Sequence, residues 1–140
     1  MKQKIGTTER ELERNLVRRL KQWQSVEDDS LRMTKEVQSR TRNPLVRLVM
    51  EIIAHDSAMH RRVQQFIIDS IEKKNVSLEP EDLKDIWDLI EKHASAEKDA
   101  IALAEEASES TDLFVPRYLF GYLLEDERKH DLLLDQFVEN

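Results

Sequence analysis

One sparse polar pattern occurs twice along this chain. Glu27 stands 33 positions before His60, and Glu97 stands 33 positions before His130. Asp56 and Asp126 each precede their histidine by four residues. Glu127 completes an E-x-x-H step, Glu127-Arg128-Lys129-His130, and the matching position in the first repeat is Ser57. A carboxylate on one helix, followed by a carboxylate and a histidine on the next, done twice, is how a four-helix bundle builds a site for two metal ions. Three carboxylates at one level of a helical core would each cost several kcal/mol unless paired or bound to a cation.

The sequence around these residues reads as helix throughout. It holds only 2 Gly and 3 Pro, and helix-forming Leu, Ala, Glu, Lys and Arg are plentiful. Thr8-Glu9-Arg10-Glu11 matches a capping box at the start of a first helix. Helical spacing then places Leu12, Leu16, Leu20, Trp23, Glu27, Leu31, Thr34 and Val37 on one face. Asn43-Pro44 ends that helix, because proline disfavours the α conformation of the residue before it. Pro44 can itself open the second helix, with an inward row of Val49, Ile53, Asp56/Ser57, His60, Val63/Gln64 and Ile67. Lys73 to Glu79 reads as a connection. Pro80 starts the third helix, with Leu83, Ile86, Ile90, His93, Glu97, Ala100/Ile101 and Ala104 along one face. Ser108 to Thr111 breaks it. Pro116 lies near the start of the fourth, whose row is Phe120, Leu123, Glu127, His130, Leu134 and Phe137.

A shift of 70 residues lays the first half on the second. The identities from position 23 to 60 include Glu27/Glu97, Asp56/Asp126 and His60/His130, all polar groups at or beside the inward seam. The expected fold is therefore all-α: one domain over residues 1–140, with one hairpin over about 8–74 and a second over about 80–138, related by a pseudo-two-fold. At about 1.5 Å rise per residue, Glu27 and the Ser57–His60 stretch face each other at equal height across the turn, as do Glu97 and His130. A mix of carboxylate oxygen and imidazole nitrogen suits iron, manganese or zinc.

Glu27, His60, Glu97, Glu127 and His130 resemble the di-metal ligands of the ferritin-like superfamily, particularly its rubrerythrin and bacterioferritin branches. The resemblance spans nearly all of the chain after residue 20 and implies an antiparallel four-helix bundle. It implies that Glu97 and His130 serve one metal, Glu27 and His60 the other, and that Glu127 bridges. It also implies that Asp56 and Asp126 orient a ligand histidine across the bundle. Iron is the expected metal, with manganese or zinc next, and O₂ or H₂O₂ the expected small-molecule partner, giving oxidase or peroxidase chemistry or iron handling. A homodimer is expected by the same analogy. The departures are specific. Ser57 stands where a second bridging Glu belongs, which leaves three carboxylates for two ions and allows a site that holds one. Asp56 or His93 can compensate. Thr34 and Ala104 stand where a tyrosine is often found. With 0 Cys there is no rubredoxin-type centre, and a fifth, cage-forming helix is not expected.

Other residues read more plainly. His93, one turn before Glu97, is either an additional ligand or a hydrogen-bonded core histidine. His55 lies off the inward row and reads as surface. Trp23, Trp87, Phe120 and Phe137 read as core packing, and Met33, Met50 and Met59 as gap fillers. The basic stretch from Arg10 to Lys21 interleaves with acids and reads as a solvated face. The net charge of −7 argues against a nucleic-acid partner. No apolar run approaches membrane-spanning length, and Met1 to Gly6 has no apolar signal core, so a cytoplasmic protein is expected. The competing function is a non-enzymatic helical bundle with one metal or none, acting through an interaction surface. A metal-dependent hydrolase ranks last, for want of a phosphate-binding loop.

Overall fold

The structure is a computed structural model and describes residues 8–74 and 76–139. Met1 to Gly6 and Asn75, read above as a leader-free start and as part of a connection, lie outside the described residues. The described residues form helices and short connections, with no strand. None of the helices is long and apolar enough to cross a membrane. The elements are α1 (Glu9–Arg40), α2 (Pro44–Lys73), α3 (Pro80–Lys84), α4 (Trp87–Glu109) and α5 (Phe114–Glu139). The chain divides into two compact units, Met1–Ser77 and Leu78–Asn140.

In the first unit the expected boundaries hold, and each has a local cause. Thr8 Oγ1 accepts the Glu11 amide at 3.1 Å, which is the forward half of the capping box. After the Thr41 C-cap, Asn43 Oδ1 accepts the amides of Leu45 and Val46 at 2.9 and 3.2 Å. That satisfies two orphan donors at the start of α2, and Pro44 there has no donor to orphan. Lys74 ends α2 in the left-handed region, at φ 50°. Its ammonium then donates to Glu13 of α1 at 3.0 Å.

Helices α1 and α2 pair antiparallel around Val17, Leu20 and Ile68, with Ile71 packed against them. The buried row of α1 is Val17, Leu20, Gln24, Glu27 and Thr34. This corrects the sequence reading by one position over part of its length. Leu16 and Trp23 stand in a neighbouring stripe, and Trp23 is 56% exposed. The reason is a polar one. Gln24 Nε2 donates to the Arg61 carbonyl at 3.3 Å and to Gln65 Oε1 at 3.1 Å, which turns the Gln24 side of α1 toward α2. Met33 and Met59 are likewise exposed, as is Phe137 in the second unit, so none of these fills the core expected for it. His55 is exposed, as expected.

In the second unit the expected third helix is broken into two. Glu79 and Asp82 form a reciprocal capping box around Pro80. The Ile86 amide then bonds to the Leu83 carbonyl at 3.1 Å, a tightened turn, and α4 resumes with the Ile90 amide on the Ile86 carbonyl at 2.9 Å. Asp85 and β-branched Ile86 are both weak helix formers, which makes this the cheapest place to bend. Helices α4 and α5 pair antiparallel, with Trp87, Ile90, Ala94, Glu97, Ile101 and Ala104 turned inward on α4. Phe120 of α5 is half-buried.

Candidate metal centre

The doubled pattern has the same register in both hairpins. Arg61 Nε donates to Asp28 Oδ1 at 2.9 Å across the first, and Lys98 Nζ donates to Asp131 Oδ1 at 2.7 Å across the second. His60 Nδ1 lies 3.5 Å from Glu27 Oε2, and His130 Nδ1 lies 3.6 Å from Glu97 Oε2. Each hairpin therefore brings its glutamate and its histidine together at mid-height, as the 33-residue spacing requires.

Beyond that point the hairpins differ. In the second, Glu97 is buried on α4, and Glu127 and His130 sit half-buried one turn apart on α5. Their ligand atoms all lie within 4.8 Å of one another, the one group of three or more potential metal ligands found among the described residues. His93 Nε2 lies 3.0 Å from Glu97 Oε1, so its ring proton holds one oxygen of that carboxylate. The other oxygen, Oε2, is buried with no nitrogen or hydroxyl donor on it, which leaves a proton on Glu127 or a cation to satisfy it. A buried carboxylate oxygen with no donor is a costly arrangement, and a cation is one partner that relieves it.

The electrostatics of the metal-free group follow from two acids in contact. A hydrogen bond with Glu127 holds the Glu97 carboxyl below its ordinary value, against the opposing effect of burial; His93 and His130 add to the lowering. The same bond pushes Glu127 up, reinforced by burial and by the Glu97 charge. Like charges this close do not both ionise freely, so Glu127 holds its proton more strongly than an isolated glutamate does. A divalent cation between them would take that proton's place.

In the first hairpin the equivalent space is filled differently. Ser57, buried, donates to Ser30 Oγ at 3.0 Å instead of facing Glu27. Gln64, also buried, donates its amide to Glu27 Oε2 at 3.0 Å. Glu27 thus has a neutral donor, and no group of three metal ligands forms around it among the described residues. The sequence reading left the inward position open between Val63 and Gln64. Gln64 takes it. Setting Gln64 against its repeat partner Leu134 was the signal available for this difference.

The two aspartates are not alike either. Asp126 Oδ1 lies 2.9 Å from Lys129 Nζ and its Oδ2 lies 3.7 Å from His130 Nε2, both on its own helix. Asp56 is half-buried and belongs to no metal-ligand group in its hairpin. No protein-family profile, curated protein or solved structure matches this chain.

Proposed function

We propose that this protein is a metal-binding helical protein of the ferritin-like kind, with Glu97, Glu127 and His130 as the core of its cation site. The observation that carries the reading is the cluster of two carboxylates and one imidazole around the buried Glu97, whose Oε2 no nitrogen or hydroxyl donor reaches. The donor set suits Fe(II) first, and Mn(II) or Zn(II) after it. In the di-metal form of the reading, Glu27 and His60 serve a second ion, the two hairpins make one bundle, and a homodimer is the expected assembly. A bound redox-active ion with open positions would supply O₂ or H₂O₂ chemistry, in iron handling or peroxide defence. The chain's own groups would set the geometry: His93 fixes Glu97, while Glu127 and His130 present the other two ligand atoms.

Metal content decides this. Protein purified without chelators and loaded anaerobically with Fe(II), Mn(II) or Zn(II) is expected to retain ion that is lost on Glu127→Ala. No retained ion with any of the three overturns the reading. Retained iron that consumes neither O₂ nor peroxide faster than free iron removes the enzymatic part and leaves metal binding.

A second reading is a non-enzymatic helical protein with one ion or none. Ser57 and Gln64 favour it: Ser57 offers no carboxylate and bonds to Ser30, and Gln64 satisfies Glu27 without metal.

A further inference from the structure

We propose that Gln64 closes the first hairpin to metal, so that the chain holds a single divalent cation, carried by the second hairpin. This rests on the metal-binding reading above and narrows it. The hairpins share one register, which permits a residue-by-residue comparison of the two half-sites. Glu27 and His60 correspond to Glu97 and His130, at near-equal separations of 3.5 and 3.6 Å. Ser57 corresponds to Glu127, Ser30 to Ala100, and Gln64 to Leu134.

These substitutions act together. Loss of a carboxylate at position 57 removes one ligand and one negative charge. Serine there is too short to reach across to Glu27, and it bonds to Ser30, whose counterpart Ala100 has no hydroxyl. Gln64 then does for Glu27 what a cation would do. Its Nε2 donor sits 3.0 Å from Glu27 Oε2, the same oxygen that faces His60. An incoming ion would have to displace that amide and strand it in a buried position. Gln64 already leaves its Oε1 without a donor to keep this orientation. In the second hairpin Leu134 offers no donor, and no amide takes Glu97 Oε2 from a cation. Ser57 alone therefore does not account for the difference: restoring a glutamate leaves the amide in place.

The test is Zn(II) stoichiometry by native mass spectrometry and equilibrium dialysis on the full chain, with helicity checked by circular dichroism. The wild type is expected to bind one ion, lost on Glu97→Gln. Ser57→Glu alone is expected to stay at one, and Ser57→Glu with Gln64→Leu to reach two. The reverse graft, Leu134→Gln, places an amide against Glu97 and is expected to weaken the wild-type site at least about tenfold. That variant keeps the proposal testable if the double variant fails to fold. Two ions in the wild type, two in Ser57→Glu alone, or an unchanged affinity in Leu134→Gln overturns the role of Gln64 while leaving metal binding intact. No ion in the wild type overturns both readings.

Discussion

Lys98 and Asp131 join α4 to α5 at 2.7 Å, at the positions where Asp28 and Arg61 join α1 to α2, with the polarity of the pair reversed. Opposite charges are kept at this level of both hairpins although the residues carrying them have changed ends. Asp131 raises the Lys98 ammonium above its ordinary value, chiefly through the direct hydrogen bond. Asp131→Lys is expected to lower the melting temperature, and Lys98→Asp with Asp131→Lys to recover most of the loss. Lys98 is exposed and Asp131 half-buried, so the effect should be modest and shrink in high salt. Thermal melts at two salt concentrations check this; equal losses in the single and double variants would refute it.

The Glu97–Glu127 pair gives the metal-free protein a pH dependence with two limbs. Glu127 is raised by its bond to Glu97, so its contribution is complete below the unfolded value, about 4.3, and fades as pH rises through its folded titration. Glu97 is lowered by the same bond, so its contribution is present above about 4.3 and fades as pH falls through its folded titration. Stability in chelator should therefore peak between the two. Glu127→Gln keeps a donor that does not titrate, and it should remove the upper limb alone. Melting temperature against pH, wild type against variant, is the measurement; parallel curves would contradict the shared proton.

His93 positions Glu97 through the 3.0 Å contact to Oε1. Releasing that oxygen lets the carboxylate rotate away from Glu127 and His130. His93→Ala is expected to weaken metal binding by about tenfold, within the range for groups that orient a ligand. His93→Gln, which keeps a donor, should recover part of it. Competition against a chromophoric chelator measures both, and equal affinities in all three proteins would show that His93 does not act through Glu97.

Ile68 is the most buried large side chain of the first unit, 1% exposed between Val17 and Leu20. Truncation to alanine removes packing that no neighbour can refill, at a cost of about 2–5 kcal/mol. Val26, 60% exposed on α1, should cost within about 0.5 kcal/mol on the same change. Denaturant titrations compare the two; similar losses would mean that the core lies elsewhere.

Much of this was legible in the sequence because it is local. Asn43-Pro44 fixes a helix end through proline sterics and a capping side chain, whatever the rest of the chain does. The equal spacing of Glu27 to His60 and of Glu97 to His130 predicts that each pair meets, because two helices joined by a short turn bring residues equidistant from it to the same height. Within one hairpin, both follow from the chain's own geometry.

Only the tertiary structure decided what each side chain faces. Trp23 and Gln24 stand one residue apart on α1, and either stripe is apolar enough to pack. The Gln24 amide, reaching Arg61 and Gln65 of another helix, selects its own side, and Trp23 is left out. Gln64 and Leu134 look like a minor substitution in a repeat. Facing buried carboxylates, they divide a Glu27 held by an amide from a Glu97 whose Oε2 no amide reaches, because a buried oxygen is stabilised only by the partner that actually reaches it.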